Sequence, residues 1–282
     1  MRVLALTIAA LAATALAPSR QVYRASTDAV VLDVAVFDGD RVVTALGVDD
    51  FEVFDNGVRQ PIETVDFNVL PIDLRLVFDV SGSISDEHLA WYVRAMRQAT
   101  EALAPRDHCE IMTFNARIAD AASRQRPPVT INLRRGGPDG TSFFDAVSLA
   151  MVTLPVVDRR QMAIVLSDAR DTTSFFDEPT VLDMARRTDT VVFTILPGPS
   201  SAIRGVSISR LQAIAVLTGG RLIHAPHESV VGDAVVTALT EFRHSYVVRY
   251  LLTGVPLDGW HKVSVKVRGG HRVRTKVGYF GR

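Results

Sequence analysis

The sequence predicts an α/β protein with a doubly wound, mostly parallel sheet and a small all-β domain built from the two ends of the chain. Between residues 72 and 244, strand-like apolar runs alternate with apolar positions at helical spacing, which is typical of a parallel sheet covered by helices. Residues 22–68 and the tail after residue 245 have β-type patterns only. Since neither β-segment is stable alone, we expect the two to pack together.

Composition narrows the class of protein. The chain has 282 residues, of which 48% are hydrophobic, and its 31 basic residues balance its 31 acidic ones. The sequence therefore lacks the excess of positive charge that is typical of nucleic-acid-binding proteins. The single cysteine, Cys109, allows no intramolecular disulfide. Cys109 lies in an apolar run, so we expect a buried and inert thiol. Without disulfides, we expect a hydrophobic core to stabilise the fold.

The N-terminus predicts export. Arg2 precedes the apolar run VLALTIAALAATALA at residues 3–17, which is short for a membrane span and ends in small residues. We therefore assign residues 1–17 to a secretory signal peptide, and we expect the protein in the periplasm or secreted. The alternative is an uncleaved N-terminal membrane anchor, and no later stretch is apolar enough to suggest a second span.

The N-terminal β-segment is assigned to residues 18–70. Its first strand pattern, AVVLDVAVFDGDRVV at 29–43, contains a turn at Asp38-Gly39-Asp40. In its second pattern, FEVFDNGVRQPIE at 51–63, Asn56-Gly57 lies between two β-prone arms. This dipeptide is a strong hairpin signal, because both residues tolerate the positive φ that a tight turn requires.

The α/β domain is assigned to residues 71–244. Its predicted strands are residues 74–80, 109–114, 161–167, 190–197 and 220–225. Its predicted helices contain Leu89, Tyr92, Val93, Met96 and Leu103 in the first, Phe143, Ala146, Val147, Ala150 and Met151 in the second, and Leu182, Ala185, Leu211, Ala215 and Leu217 in two more. Gly219-Gly220 marks the end of a helix before the last strand.

The C-terminal β-segment is assigned to residues 245–282. Three strand patterns fill it, at residues 245–254, 260–268 and 271–280. In the second, valines alternate with polar residues, as in an antiparallel strand with one face buried. Gly269-Gly270 joins the second pattern to the third.

Oxygen-bearing side chains follow the first strand of the α/β domain. In LRLVFDVSGSIS, residues 74–85, the strand runs into Asp79, and Ser81 and Ser83 follow at alternate positions. Ligands of open α/β sheets bind outside the carboxyl ends of the strands. Alternate residues of an extended loop can point the same way, so these three side chains can converge. Oxygen-only ligands suit a hard divalent cation.

Two other loops supply candidate ligands. The loop GGPDGTSFFDAV at residues 136–147 carries Thr141, with Asp145 one helical turn later. The strand in QMAIVLSDARDTTS, residues 161–174, ends at Asp168, with Asp171 nearby. Both loops are placed where they can meet the first one, at the edge of the predicted sheet where its strands end.

The order and spacing of these residues resemble the metal-ion-dependent adhesion site (MIDAS) of the von Willebrand factor type A domain. By position, this resemblance implies that the metal ligands are Asp79, Ser81, Ser83, Thr141 and Asp168, with Asp145 and Asp171 as supporting groups. It also implies that an acidic residue of a protein partner completes the coordination. The flanks resemble those of exported von Willebrand factor A-related proteins of Acidobacteria. One departure is Ala169, where glycine commonly follows the last aspartate.

Other interpretations fit parts of the pattern. The serines alone suit loop and helix-cap roles, and Ser85 is better explained as a cap than as a ligand. Asp145 also suits a simple interaction with the helix N-terminus, and Asp171 suits a solvated loop position. Among enzymes, a phosphatase usually has a second acid where Ser81 stands, and a serine hydrolase has a G-x-S-x-G elbow that this loop lacks. The glycine-rich phosphate loops of nucleotide-binding enzymes are also missing from the sequence.

The sequence therefore predicts an exported, non-enzymatic binding module that recognises a protein partner through a divalent cation. Mg²⁺ is favoured because few carboxylates and several hydroxyls suit a small ion that keeps waters, with Mn²⁺ or Ca²⁺ as alternatives. The second hypothesis is a scaffolding role in the cell envelope with a structural or vestigial metal site. A phosphatase-type enzyme is the third, and nothing suggests a nucleic-acid partner.

Overall fold

A computed structural model describes most of the chain. It covers residues 29–136, 139–152, 156, 158–199 and 205–281, and for residues 205–207 it describes the backbone only. The predicted signal peptide, its alternative as a membrane anchor, and the first part of the N-terminal segment lie outside these residues. Within them, no helix combines the length and apolar character needed to cross a membrane.

Strands and helices follow the predicted alternation. The strands are β1 Ala29–Asp38, β2 Arg41–Val42, β3 Phe51–Asp55, β4 Val58–Gln60, β5 Ile62–Phe67, β6 Ile72–Asp79, β7 His108–Phe114, β8 Ile118–Gln125, β9 Arg160–Leu166, β10 Val191–Pro197, β11 Leu222–Ala225, β12 Tyr246–Leu251, β13 Gly259–Val267, β14 Arg272–Arg274 and β15 Gly278–Gly281. The α-helices are α1 Asp86–Glu101, α2 Phe143–Met151, α3 Glu178–Arg187, α4 Gly205–Thr218 and α5 Glu228–Arg243.

The central sheet has six strands in the order β11-β10-β9-β6-β7-β8. All neighbouring pairs are parallel except β7 with β8. One face packs against α1 and α5, in a cluster that includes Leu76, Met96 and Val235. The other face packs against α2, α3 and α4, in a cluster that includes Val165 and Val147. This arrangement confirms the predicted doubly wound class.

Two elements of this domain are absent from the sequence prediction. Strand β8 forms an antiparallel edge, and because its residues are half-buried or exposed it carries no apolar alternation. Helix α5 covers the sheet beside α1 and buries Val231, Val235 and Phe242. The predicted end of α4 is confirmed, since the helix stops at Thr218 and Gly219 follows with a φ of +90°.

The two ends of the chain build the small all-β domain, as predicted. Strand β1 lies between β12 and β14 in one sheet, and β3 pairs with β13 in the other. A shared core joins the two sheets and includes Leu32, Val53 and Val248. The predicted strand over residues 271–280 is wrong as a single element, because β14 joins the first sheet and β15 joins the second.

The hairpin predicted at Asn56-Gly57 is present. Both residues have positive φ, +47° and +82°, and they connect β3 to β4. These values belong to the tight turns whose twist matches that of paired strands. The hairpin places Asp55, the last residue of β3, inside the all-β domain.

Asp55 is the centre of a buried polar cluster. Its carboxylate is fully buried and accepts hydrogen bonds of 2.7 Å from the hydroxyls of Tyr250 and Tyr279. Its other oxygen lies 2.7 Å from Nδ1 of the fully buried His261. Because buried charge is tolerated only when it is hydrogen-bonded, this cluster ties β3, β12, β13 and β15 to one another.

Candidate functional site

The first loop of the site begins at the carboxyl end of β6. Asp79 is fully buried, and its Oδ1 accepts a hydrogen bond of 3.0 Å from the backbone N–H of Ser81. The hydroxyl oxygens of Ser81 and Ser83 lie 3.1 Å apart. Ser81 is buried, whereas Ser83 is exposed. The structure therefore brings these three predicted ligands together at a point that opens to solvent at Ser83.

The loop ends where α1 begins. Ser85 is the N-cap of this helix, and its hydroxyl accepts a hydrogen bond of 3.1 Å from the backbone N–H of His88. The capping role predicted for Ser85 is confirmed. Asp86 and Glu87 occupy the first turn, where the helix dipole favours acidic side chains.

The second strand end adds a residue that the sequence analysis missed. Ser167 directly follows β9 and is fully buried, and its hydroxyl donates a hydrogen bond of 2.8 Å to Oδ2 of Asp79. The contact follows from strand register, since Phe78 pairs with Leu166 and the next residues are therefore side by side. Its only sequence signal is a serine between the apolar strand and Asp168.

Asp168 follows Ser167 and is partly exposed. Its Oδ1 accepts a hydrogen bond of 3.1 Å from the backbone N–H of Arg170, and its Oδ2 lies 3.1 Å from Nε of the same residue. The arginine side chain is 55% exposed and that of Asp168 is 26% exposed. Asp168 is therefore paired with a cationic side chain that can move away into solvent.

Ala169 has a left-handed backbone, with a φ of +56°. This conformation favours glycine, because an L side chain there approaches the following carbonyl oxygen. The methyl group is nevertheless fully buried and packs in the cluster under α2 and α3. The departure noted in the sequence is therefore accommodated by packing, at the cost of backbone strain.

The third loop carries Thr141. Its backbone N–H donates a hydrogen bond of 2.8 Å to the hydroxyl of Thr172, and its carbonyl accepts one of 2.9 Å from the backbone N–H of Thr172. Gly140, with a φ of +120°, is needed beside it, because an added Cβ would lie 2.6 Å from Cγ2 of Thr173. Thr141 itself is buried.

Asp145 and Asp171 brace these loops. The carboxylate of Asp145 accepts hydrogen bonds of 2.9 Å from the backbone N–H groups of Phe175 and Phe176. Asp171 instead accepts from the backbone N–H of Phe144, in the first turn of α2, at 3.2 Å. Asp145 therefore lies in the first turn of α2, where an interaction with the helix N-terminus is expected, and also holds the loop before α3, while Asp171 accepts a hydrogen bond at the same helix N-terminus.

Hydrogen bonds connect the first loop to the end of β7. The residue after Asp79 is Val80, and its backbone N–H donates a hydrogen bond of 2.8 Å to the carbonyl of Phe114, the last residue of β7. The neighbouring carbonyl of Asn115 accepts a hydrogen bond of 2.7 Å from the backbone N–H of Ser142. The first loop is thus joined, through the end of β7, to the loop that carries the threonine ligand.

The remaining contacts close the ring of loops. Thr141 precedes Ser142 and pairs with Thr172, which belongs to the loop after β9. Ser167 begins that loop and returns to Asp79 through its hydroxyl. The loops that carry all five predicted ligands therefore form one continuous edge.

The electrostatics of this edge favour a cation. The pKa of Asp79 is raised to about 6, because burial and, to a smaller extent, the charge of Asp168 raise it while hydrogen bonds from Ser81 and Ser167 lower it. A buried carboxylate beside a second carboxylate is costly when ionised. A positive ion between them would remove that cost.

The donor set fits a hard divalent ion. Two carboxylates and three hydroxyls are oxygen ligands of mixed charge, and an octahedral Mg²⁺ accepts such ligands, some directly and others through its waters. Among the described residues, no three His, Cys, Asp or Glu side chains are grouped as a metal site. The five predicted ligands comprise three hydroxyls and two carboxylates, and the assignment of individual ligands stays a prediction.

Comparison with known proteins gives the fold. No family model and no curated protein matches the sequence. The ArnB paralog VWA2 from Sulfolobus acidocaldarius has a similar structure, with a TM-score of 0.52 and 11% identity over 90% of this chain and 76% of that chain. A von Willebrand factor type A structure from Catenulispora acidiphila has a TM-score of 0.50 and 12% identity over 87% of this chain and 75% of that chain.

These identities are informative about architecture only. The chain covers most of both structures, and its central sheet has helices on its two faces. The relation to proteins of Acidobacteria and the presence of a MIDAS stay predictions. The protein has the fold of a von Willebrand factor type A domain, joined to a small all-β domain.

Proposed function

We propose that this protein is a non-enzymatic binding module that holds one divalent cation at the carboxyl edge of its sheet. The proposed ligands are Asp79, Ser81, Ser83, Thr141 and Asp168. The observation that carries the proposal is the fully buried carboxylate of Asp79, which lies near Asp168. Within the described part of the chain, the hydrogen bonds that Asp79 accepts come from neutral groups. Mg²⁺ is the proposed ion, with Mn²⁺ and Ca²⁺ as alternatives.

When bound, the ion would supply a Lewis-acidic position open to an oxygen ligand from outside. The partly exposed Asp168 and the exposed Ser83 lie on the solvent side of the edge. A carboxylate from a protein partner suits that position, because an anionic oxygen is a strong ligand of a hard cation. We therefore propose a partner that presents an acidic residue.

The surface beside the edge suits such a partner. Phe175 is 88% exposed, and its loop is held by Asp145. Exposed aromatic side chains act as anchors in protein interfaces. Arg170 is exposed on the same loop and offers a positive charge to an acidic partner. The chain's own residues thus provide an apolar contact and a cationic contact around the proposed ion.

A binding role is favoured over catalysis by the chemistry of the edge. General acid–base catalysis requires a titratable group that reaches the substrate. The Asp79 carboxylate is buried, and the partly exposed Asp168 is paired with Arg170. Ser81, which occupies the position of the second acid of phosphatases, does not supply an acid. The proposed role therefore needs only coordination.

We also propose that the module works outside the cytoplasm, in the periplasm or after secretion. The support is the apolar run at residues 3–17, which follows Arg2 and ends in small residues. The single cysteine is consistent with a fold held by its cores, and Cys109 is buried within one of them. Cell fractionation with an antibody to the β-domain would test this location, and recovery in the cytoplasmic fraction alone would contradict it.

The metal proposal is tested by titrating Mg²⁺ into the protein by calorimetry. Wild type should bind one ion, Ser81→Ala should lose most of the affinity, and Ser264→Ala should not. Ser264 is an exposed serine of β13 and serves as a matched control. Absence of Mg²⁺, Mn²⁺ and Ca²⁺ binding by wild type would refute the proposed site.

Partner recognition needs a separate test. Wild type and Ser81→Ala would be used to capture proteins from an envelope extract, in Mg²⁺ and in EDTA. Capture that requires both Mg²⁺ and Ser81 supports metal-bridged recognition. Capture that is equal in EDTA indicates scaffolding instead, and hydrolysis of a generic phosphoester that Asp79→Asn abolishes would indicate a phosphatase.

A further inference from the structure

Tyr92 is a buried tyrosine on α1 behind the candidate cation site. Its side chain is fully buried. Its ring packs on that of Phe78, with the centroids 5.4 Å apart, and Phe78 immediately precedes Asp79. The same hydrophobic cluster contains Val80 and Ile84, from the loop that follows Asp79. Tyr92 therefore lies directly against the strand end that carries the first proposed ligand.

The hydroxyl of Tyr92 has no hydrogen-bond partner among the described residues. A buried hydroxyl without a partner is unfavourable, because it has lost its hydrogen bonds to water and gained none in return. Phenylalanine would fill the same space without this cost. The packing of the ring thus accounts for an aromatic residue at this position but not for its hydroxyl group.

The charges of the candidate site also affect the hydroxyl of Tyr92. Burial raises the pKa of Tyr92 well above its ordinary value, and the charges of Asp79 and Asp168 raise it further. Neither carboxylate accepts a hydrogen bond from the phenol, whose hydroxyl has no partner among the described residues. An uncharged phenol is a hydrogen-bond donor at neutral pH, so it is suited to an oxygen bound beside Asp79.

We propose that Tyr92 is a positioning residue of the cation site, whose hydroxyl donates a hydrogen bond to an oxygen in the ligand shell of the bound ion. The inference rests on the proposed function, because it requires the ion to bind. Mg²⁺ keeps several waters when it binds to proteins. Groups that hydrogen-bond to the ligands of a metal orient them and strengthen its binding.

The test compares wild type with Tyr92→Phe, which removes the hydroxyl and keeps the ring. Thr275→Val is the matched control, because the Thr275 hydroxyl is also buried without a partner in the described part of the chain. Thr275 lies against Gly219, near the start of β11. It is therefore at the amino ends of the parallel strands, whereas the candidate site is at their carboxyl ends. For each protein, Mg²⁺ affinity is measured by calorimetry and thermal stability is measured in EDTA and in Mg²⁺.

We expect Tyr92→Phe to weaken Mg²⁺ binding by about tenfold, the lower end of the range for groups that support metal ligands. In EDTA this variant should be at least as stable as wild type, since it lacks an unpartnered hydroxyl. Mg²⁺ should therefore stabilise it less than wild type. Thr275→Val should bind Mg²⁺ like wild type.

Three outcomes would overturn the inference. Unchanged Mg²⁺ affinity in Tyr92→Phe would show that the hydroxyl does not support the ion, while the proposed function would stand. Weaker binding with an equal loss of stability in EDTA would show a purely structural role. Failure of wild type itself to bind Mg²⁺ would remove the proposed function, and the inference with it.

Discussion

The hydroxyl of Ser167 donates a hydrogen bond of 2.8 Å to Oδ2 of Asp79 and so joins the ends of β9 and β6. The hydroxyl oxygen of Ser167 also accepts a hydrogen bond of 3.0 Å from the backbone N–H of Ala169. Ser167 thereby fixes both the buried carboxylate and the turn that presents Asp168. The geometry of two proposed ligands depends on one serine hydroxyl.

We expect Ser167→Ala to weaken Mg²⁺ binding by about tenfold, because an oriented ligand loses its supporting donor. Calorimetric titration measures the change, with Ser264→Ala as the control for a serine remote from the site. Equal affinities of Ser167→Ala and wild type would contradict the role given to this hydrogen bond.

Stability without metal should depend on pH through Asp79. Burial raises its pKa to about 6 from an ordinary value of 3.8, so the folded state holds a proton that the unfolded chain has already lost. Its stabilising contribution is complete below pH 3.8 and is lost as pH rises toward 6. The full difference corresponds to about 3 kcal/mol.

Asp79→Asn removes this titration. In EDTA at pH 7.5 we expect the variant to be more stable than wild type by up to ~3 kcal/mol, and we expect the difference to shrink toward zero at about pH 4. Urea denaturation at several pH values measures it. A pH-independent difference between the two proteins would contradict the assigned pKa.

The ion pair of Arg170 with Asp168 should oppose metal binding. A cation and the guanidinium compete for the same carboxylate, so Arg170→Ala should bind Mg²⁺ more tightly. Since exposed ion pairs contribute at most about 1 kcal/mol, we expect a gain of up to about fivefold. High salt should reduce the gain by screening.

Arg268→Ala is the control for that measurement. Arg268 is an exposed arginine of the all-β domain, paired with Asp50 at 3.5 Å. Its removal lowers the net charge equally but should leave Mg²⁺ affinity unchanged. Similar gains in both variants would show a general effect of charge rather than competition at Asp168.

The buried cluster around Asp55 should dominate the stability of the all-β domain. Asp55→Ala leaves the buried His261 and Tyr250 and the half-buried Tyr279 without their shared partner, and we expect a loss of about 3–5 kcal/mol. Urea denaturation measures this loss, with the exposed Asp258 changed to alanine as the control. A loss below about 1 kcal/mol would show that the cluster is not needed for folding.

Much of the fold is visible in the sequence because its elements have local signals. The parallel strands are rich in apolar residues, since both of their faces are mostly buried, and the hairpin follows from Asn56-Gly57. Strand β8 lacks such a signal, because it is an edge strand of small and polar residues. The division of the last strand into β14 and β15 depends on which sheet each part joins, which no local pattern records.

The site also has residues that the sequence predicts and residues that it does not. The proposed ligands have a recognisable spacing, because they lie on loops that follow strands or precede a helix. The residues that support these ligands have no such spacing in the sequence. Ser167 meets Asp79 through the register of β6 with β9, and Tyr92 reaches the edge through the packing of α1. These contacts exist only after the chain has folded.

The pairing of Phe67 with Tyr246 has a mechanical consequence. These residues are neighbours in adjacent strands, and their rings lie 4.8 Å apart. The chain therefore leaves the all-β domain at the end of β5 and returns to it at the start of β12, and these two positions are neighbours in one sheet. Tension applied between β1 and β15 would be carried by the hydrogen bonds of the two β-sheets and by the contacts of these strands with the α/β domain, such as the pair of Asp33 with Arg160. As long as Phe67 and Tyr246 stay paired, the two chain connections to the α/β domain would not be pulled apart.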